Sequence, residues 1–319
     1  MTPRATIVAA MCFAMVMAGT TVTRADPQKF TVEGGPEAVA FDGAFLWVTS
    51  QFTNTVTKLN SDGFIVGVYK VGVQPSGIAT DGKSVWVANQ GSNSVSRLDA
   101  LDGRLIDTFH VGDDQGPGAL VYHDGHLWVA NRTANAVMKL LARNGELKAV
   151  ARVGTRPVGL AISTTTAGGT KDTFVWVSNH QSRTVTKIRE ADGVLAGTFR
   201  VGDGPLGVAF DGATVWVANY FSGTVMRLGM DGVVKGTYAV GDGASGVLFD
   251  GRNVWVANQG DDTITRLRAA DGKVLDTVEV GDGPAGLASD GRSLWMTTGS
   301  DDEVAKLAGV IGAVGKLVP

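Results

Sequence analysis

The chain has 319 residues, of which 44% are hydrophobic and 18% charged, and its formal net charge is −3. Nucleic-acid-binding proteins normally carry a basic stripe or a high isoelectric point, and because this chain has neither, nucleic acid is excluded as an expected partner. No apolar run reaches the roughly 18 residues that a membrane-spanning segment needs.

The N-terminal segment has the pattern of a secretory signal peptide over residues 1–25. Arg4 precedes an apolar stretch at 7–18, and Thr23-Arg24-Ala25 offers a small-residue cleavage site before Asp26. This order of charged, apolar and small-residue regions is typical of export signals, with a retained N-terminal anchor as the alternative. We therefore expect a periplasmic or secreted protein.

Removal of the signal would change both the charge and the cysteine content. It takes away two basic residues and no acidic one, which leaves 26 basic against 31 acidic side chains, a balance of −5. The single cysteine, Cys12, is lost with the segment. We expect no transmembrane segment in the mature chain and no disulfide, since a core of this size can stabilise the fold alone.

A repeated phrase fills the rest of the chain. Its cleanest copy, residues 201–219, reads VGDGPLGVAFDGATVWVAN, and each copy contains one tryptophan, spaced 39 to 48 residues from the next. A period near 40 built from short β-rich runs and glycine turns is typical of a propeller blade, whereas a helical solenoid would show a 3.6-residue period. The tryptophans are Trp47, Trp86, Trp128, Trp176, Trp216, Trp255 and Trp295.

The sequence predicts an all-β, seven-bladed β-propeller with four antiparallel strands in each blade. In the copy at 201–239, the strands are expected at 207–210, 215–218, 224–228 and 233–239, separated by Asp-Gly and Gly/Ser-rich turns. The propeller spans residues 26–319, with repeats at about 33–70, 71–110, 111–152, 153–200, 201–239, 240–279 and 280–319.

Two segments lie outside the regular repeat. The run 29–32 resembles the end of a repeat, so we expect it to form the fourth strand of the last blade, in competition with residues 313–318. The fourth copy is longer by about eight residues, at 163–172, which lack apolar periodicity and are expected to form an exposed loop.

Most repeated residues have structural interpretations. Regular spacing with apolar flanks favours packing of the tryptophans between blades over an aromatic ligand cage. The Asp-Gly pairs are typical of tight hairpin turns rather than of calcium or catalytic sites. An asparagine ends the second strand in five copies, where we expect it to bond its following turn, with a polar ring at the channel mouth as the alternative.

The candidate site lies on the face that carries the loops between second and third strands and between blades. These loops vary while the framework repeats, and variable loops on a rigid scaffold are where binding usually resides. Basic and aromatic residues there could hold an anionic or sugar-like ligand, although an ordinary solvated rim is the alternative. The ligand-binding candidates are Arg132, Arg156, His180, Tyr220 and Phe221.

An arc of acidic residues on the same face is the candidate for a divalent cation. Carboxylate oxygens are the ligands that Mg²⁺ and Ca²⁺ prefer. The candidates for this alternative are Asp242, Asp261, Asp282 and Asp301.

The motif Asp-Gly-x-x-Val-Trp-Val-Ala-Asn, followed by Thr-Val-x-Arg-Leu, resembles the repeat of YVTN-type β-propeller proteins. It is more loosely similar to the NHL and virginiamycin B (streptogramin) lyase propellers, over about residues 28–319. The resemblance implies the architecture, because such propellers include lyases, lactonases, sensors and scaffolds. The lyase resemblance implies magnesium and a His/Glu set. Here that Glu position holds Asn, Ser or Thr in every copy, and His never follows the proline equivalent.

The sequence thus predicts an exported, monomeric, non-catalytic propeller without a cofactor, which binds a small molecule or a protein partner on its loop face. The enzyme alternative is a divalent-metal-dependent lyase or lactonase that uses the acidic arc. A scaffold subunit recognised through its outer strands is a third interpretation.

The signal interpretation is tested by N-terminal sequencing of the exported protein. The mature chain should begin at or near Asp26, because all three parts of the export signal precede it. An intact Met1 in the periplasmic or extracellular fraction would contradict cleavage.

Overall fold

The computed structural model describes residues 26–167 and 169–311, which form seven four-stranded antiparallel sheets. The predicted signal segment and the run at 313–318 lie outside the described residues. Within the described part, no helix is long and apolar enough to cross a membrane. The fold class predicted from the repeat is confirmed.

The 28 strands run in chain order, with one short 3₁₀ turn at Tyr220–Ser222. They are β1 (Gln28–Thr31); blade 1, β2 (Pro36–Phe41), β3 (Leu46–Ser50), β4 (Thr55–Leu59), β5 (Ile65–Lys70); blade 2, β6 (Pro75–Thr80), β7 (Ser84–Asn89), β8 (Ser94–Asp99), β9 (Leu105–His110); blade 3, β10 (Pro117–His123), β11 (His126–Asn131), β12 (Ala136–Leu141), β13 (Leu147–Arg152); blade 4, β14 (Pro157–Ala167), β15 (Thr170–Asn179), β16 (Thr184–Arg189), β17 (Leu195–Arg200); blade 5, β18 (Pro205–Phe210), β19 (Val215–Asn219), β20 (Thr224–Leu228), β21 (Val234–Ala239); blade 6, β22 (Ala244–Phe249), β23 (Asn253–Asn258), β24 (Thr263–Arg268), β25 (Val274–Glu279); and blade 7, β26 (Pro284–Ser289), β27 (Leu294–Thr298), β28 (Glu303–Leu307).

The ring closes at both its inner and outer strands. The first strands of neighbouring blades contact one another in a cycle, and β26 returns to β2. On the outside, β1 pairs antiparallel with β28, from Gln28 opposite Lys306 to Thr31 opposite Glu303. The prediction that the N-terminal run supplies the last blade's fourth strand is confirmed, so the two ends of the propeller share one sheet.

All seven tryptophans are buried between blades, with no more than 1% of the side chain exposed. This confirms the packing interpretation and rules out an aromatic ligand cage. Four indole N–H groups donate to an aspartate of the preceding hairpin, at 2.7 Å or 2.8 Å. The Asp-Gly turns therefore also satisfy a buried donor in these four blades, as is usual for a buried indole. These aspartates are Asp42, Asp211, Asp250 and Asp290.

A cation lies opposite every tryptophan, which the sequence analysis missed. The third-strand residue paired with each tryptophan is Lys or Arg, and its charged group lies 5.0–5.7 Å from the indole centroid. In six blades this side chain also donates to a backbone carbonyl of the next blade. Each cation therefore joins its own indole to the neighbouring sheet. The seven are Lys58, Arg97, Lys139, Lys187, Arg227, Arg266 and Lys306.

Glycines at the axis allow the first strands to approach closely. A Cβ on Gly159 would lie 2.1 Å from the carbonyl oxygen of Leu206, and one on Gly246 would lie 2.0 Å from that of Ala285. No real Cβ tolerates these separations, so glycine is required at these two positions of the first strands.

The insertion in blade 4 is not the exposed loop that the sequence predicted. It extends the first hairpin, so that β14 has 11 residues and β15 has 10, with Thr164 opposite Thr173. Threonine favours strands, and the added backbone groups are satisfied by pairing with each other. Ser163 is buried and accepts a hydrogen bond of 2.9 Å from the indole of Trp176, in place of the usual aspartate.

Lys58→Met should destabilise the protein by about 1–3 kcal/mol. Lys58 is 1% exposed and donates to the carbonyls of Ala100 and Leu101 at 2.7 and 2.9 Å, and the variant leaves the buried Ala100 carbonyl without a partner. Lys306→Met is the matched control. Its acceptor, Ser61, is exposed, so water can replace the lost bond and the cost should stay below about 1 kcal/mol. Urea unfolding measures both, and equal losses would contradict the role assigned to Lys58.

Candidate ligand site at the channel mouth

The site is built on a backbone frame that repeats around the channel mouth. In six blades, the amide of the residue after the second strand donates to the carbonyl of the residue before the first strand, at 2.9–3.0 Å. This frame holds the side chains of successive blades in a ring. The residues after the second strands are Gln51, Gln90, Arg132, His180, Tyr220, Gln259 and Gly299. Three blades have glutamine at this position, whereas the neighbouring blades 3, 4 and 5 have arginine, histidine and tyrosine.

Arg156 occupies a backbone position that favours glycine. The residue before each first strand has φ between 53° and 69°, and it is glycine in all blades except those of Gln74 and Arg156. A side chain in this left-handed region costs about 1–2 kcal/mol. Asn135 Oδ1 accepts a hydrogen bond of 2.8 Å from the Arg156 amide and holds the conformation. A strained residue beside a cavity points to a role for its side chain beyond folding.

All five predicted ligand-binding residues line one cavity of about 250 Å³. The structure thus brings these five side chains together, and a role in binding stays a prediction. Three residues of the first strands complete the wall, namely Glu37, Val158 and Leu206. The volume lies below the about 300–1,000 Å³ that is usual for drug-sized ligands, so the cavity suits a small metabolite.

Arg132 is the most enclosed cation of the site. Its side chain lies over Gly118, where a Cβ would be 2.2 Å from Nε, and Nη1 donates to Gln90 Oε1 at 3.0 Å. Nε is buried and has no partner among the described residues. Burial lowers the pKa of Arg132, while the Glu37 carboxylate raises it and Arg156 lowers it further. A buried N–H without a hydrogen-bond partner costs free energy, so this group is available to donate to a ligand.

Glu37 and Gly118 are the functional residues that sequence reasoning missed. Each follows the proline that begins the first strand of its blade. At this position the resemblance to the lyases had suggested only a catalytic histidine. The signal that could have found Glu37 is that it is the one charged residue at this position, where the other blades have small or apolar residues; Gly118 shows no such signal.

His180 and two aromatic rings form the other side of the cavity. The His180 ring lies 5.5 Å from Phe221, and Tyr220 meets Phe221 edge-on at 5.2 Å. Phe221 is 66% exposed, whereas His180 Nδ1 is buried and makes no hydrogen bond of normal length and angle with the residues that the structure describes. Burial lowers the pKa of His180, Arg156 and Arg132 lower it further, and the carbonyls of Pro205 and Gly204 oppose the shift. The imidazole is therefore neutral at neutral pH.

The charges of the cavity leave an excess of one positive charge. Arg132 and Arg156 are positive, Glu37 is negative, and His180 is neutral. Within the described residues, no ion pair joins Glu37 to either arginine. Arg183, on the same face, is instead paired with Asp203 at 2.8 Å. The cavity is thus matched to a monoanion.

The aspartates of the acidic arc are not gathered into one group of carboxylates within the described residues. Asp261 Oδ2 accepts the amide of Asp242 at 2.7 Å, and Asp301 Oδ2 accepts the amide of Asp282 at 3.1 Å. In other blades Ser92, Ser182 and Ser222 make the same bond. Over the chain as described, no group of three or more His, Cys, Asp or Glu side chains is arranged to hold a metal. Asp261 and Asp301 therefore hold the loops between blades in place by accepting these backbone amides.

The strand-ending asparagines do not line the channel. Asn89 is fully buried, and its Nδ2 donates to Ser94 and Ser96 of the third strand, while Oδ1 accepts the amide of Gly72. The expected bond to its own turn is therefore replaced by bonds to the next strand and to the loop between blades.

The molecule is a seven-bladed propeller with a cationic and aromatic cavity at its channel mouth, and solved structures share the fold. A catalytically inactive variant of virginiamycin B lyase from Staphylococcus aureus, with quinupristin, is 17% identical, with a TM-score of 0.75 over 89% of this chain and 99% of that one. A streptogramin B lyase is 16% identical, with a TM-score of 0.76 over 88% of this chain and 96% of that one.

Hydrazine synthase of Kuenenia stuttgartiensis is similar to the same degree. It is 18% identical, with a TM-score of 0.76 over 92% of this chain and 99% of that one. No family model and no curated protein matches the chain. At these identities the likeness establishes the propeller fold and no activity.

The neutral state of His180 leads to a pH prediction. Its imidazole should titrate below the ordinary value of 6.5, and Arg156→Gly should move the midpoint upward by removing a neighbouring positive charge. The unfolded chain binds this proton more readily, so the stability linked to His180 is present above pH 6.5 and is lost as pH falls through the folded pKa. NMR titration of the His180 ring signals in the parent protein and in Arg156→Gly measures the two midpoints. A midpoint at or above 6.5 would contradict the environment described.

Proposed function

We propose that this protein binds a small anionic ligand in the channel-mouth cavity and carries out no chemistry of its own. The observation that carries the proposal is the pair of arginines at one wall. Arg132 has a buried N–H without a partner among the described residues, and Arg156 is held in a backbone conformation that favours glycine. Both features cost stability, and an anion that bonds the two guanidinium groups would compensate for them.

A small molecule fits the cavity better than a protein partner does. The wall residues come from four blades and enclose about 250 Å³, which is a concave space rather than a flat patch. The apolar residues Val158 and Leu206, with the exposed ring of Phe221, would contact an apolar part of the ligand. We propose that the protein acts after export, in the periplasm or outside the cell, and as a monomer.

The lyase or lactonase alternative has less support. It depended on a divalent cation held by the acidic arc, and the carboxylates of Asp261 and Asp301 are engaged by backbone amides. The lyases among the similar structures share the fold with this chain, but at 16% and 17% identity they carry no argument about its chemistry.

Benzoate is a suitable probe, because it joins one carboxylate to one ring. Arg132→Gln and Arg156→Gly should each weaken benzoate binding by about tenfold or more, since a charge-assisted hydrogen bond contributes about 1.5–3 kcal/mol. Each substitution introduces the residue that other blades use at the same position, so the fold should be preserved. Isothermal titration calorimetry at low ionic strength measures affinity, and thermal unfolding checks the fold.

Gln74→Gly is the matched control. It makes the same backbone change as Arg156→Gly, at φ 53° rather than 57°, in a residue that does not line the cavity. It should leave benzoate affinity unchanged. Unchanged affinity in both arginine variants, or no binding of benzoate or any other small carboxylate to the parent protein, would overturn the proposal.

A further inference from the structure

A second cavity adjoins the first and shares its two arginines. It measures about 480 Å³ and is lined by Gln90, Arg132, Thr133, Asn135, Thr155, Arg156 and Gln181. Arg132 and Arg156 therefore form a wall between an aromatic compartment and a second compartment. A ligand whose anionic group lies at this wall can extend in both directions.

The two compartments differ in chemistry. The first contains aromatic and apolar surface, whereas the second is lined, apart from the arginines, only by amide and hydroxyl side chains. Gln181 and Thr133 are exposed, and their side chains make no hydrogen bond within the part of the chain described. Neutral groups that both donate and accept are suited to hydroxyl groups, which also do both. The second compartment is thus suited to a polyhydroxylated moiety.

The charge of the wall restricts the anion. With Glu37 facing the arginines and His180 neutral, the net charge is +1, which one carboxylate neutralises and a phosphate dianion would exceed. Planar carboxylates also accept paired hydrogen bonds from a guanidinium. A carboxylate is therefore favoured over a phosphate monoester or a nucleotide.

Phe221 provides a surface for the remaining part of such a ligand. Its ring is 66% exposed and is held in place by edge contact with Tyr220 and by the His180 ring. An exposed, immobilised aromatic ring packs well against the C–H face of a pyranose, because that face is apolar while the ring edge carries hydroxyl groups.

We infer that the ligand is an acidic oligosaccharide of at least two sugar units, in which a uronic-acid carboxylate binds Arg132 and Arg156. One sugar packs on Phe221, and the next places its hydroxyl groups against Gln181 and Thr133. This inference rests on the proposed function and adds the chemical class of the ligand.

The test compares four probes on the parent protein by calorimetry: a dimer of one uronic acid and one neutral sugar, which carries a single carboxylate, the same dimer as its methyl ester, the free uronate monomer, and benzoate. The dimer should bind at least about tenfold more tightly than the monomer and than the uncharged ester. A second series measures the dimer on Gln181→Ala combined with Thr133→Ala, and on Ser300→Ala, which alters the equivalent loop of blade 7 as a control. The double variant should weaken dimer binding by about tenfold while leaving benzoate affinity unchanged; the control should change neither.

The outcomes separate the two proposals. If benzoate binds through the arginines but the dimer binds no better than the monomer, or the double variant binds the dimer normally, the saccharide inference is wrong and the anion site stands. An ester that binds as tightly as the acid would overturn the assignment of the carboxylate to the arginine wall. If none of the probes binds, both proposals fail.

Discussion

The burial of one indole per blade against the neighbouring sheet is the interaction on which the rest of the structure depends. A single four-stranded sheet cannot cover its own apolar faces, so each blade is stable only in contact with the next. The tryptophan supplies the apolar area, an aspartate or another acceptor satisfies its N–H in six blades, and the opposing Lys or Arg bonds the next blade in six. These contacts repeat around the ring and fix the spacing of the first strands at the axis.

The candidate site is built on a backbone hydrogen bond that repeats from blade to blade, and the site keeps that bond unchanged. The backbone bond that holds His180 to Arg156 is the same bond that holds Gln90 to Gln74 on another blade, and both measure 2.9 Å. Function is therefore placed on the scaffold by exchanging side chains at equivalent positions. This arrangement explains how neighbouring blades can present Arg132, His180 and Tyr220 to one cavity while the strands beneath them remain alike.

The acidic arc shows how a repeated structural role can imitate a functional motif. Loop positions that need an acceptor for a backbone amide are filled by serine in three blades and by Asp261 or Asp301 in two others. Either side chain offers the required oxygen, so the choice has little effect on the loop. In the sequence the aspartates look like a set of metal ligands, whereas in the fold Asp261 and Asp301 accept the amides of Asp242 and Asp282.

The sequence by itself determined the number of blades, the strand boundaries of blade 5 to within about two residues, the closing role of β1, and five of the eight residues that line the cavity. It could do so because the period is regular and because propeller topology alone decides which loops share a face. Only the tertiary structure decided three other features. The cation opposite each tryptophan depends on strand register, the position of Glu37 facing Arg132 depends on ring closure, and the strands at 163–172 depend on pairing between threonines that no apolar period marks. Each of these features is a contact between different strands or blades, which no local sequence pattern marks. Such contacts are defined only once the chain has folded.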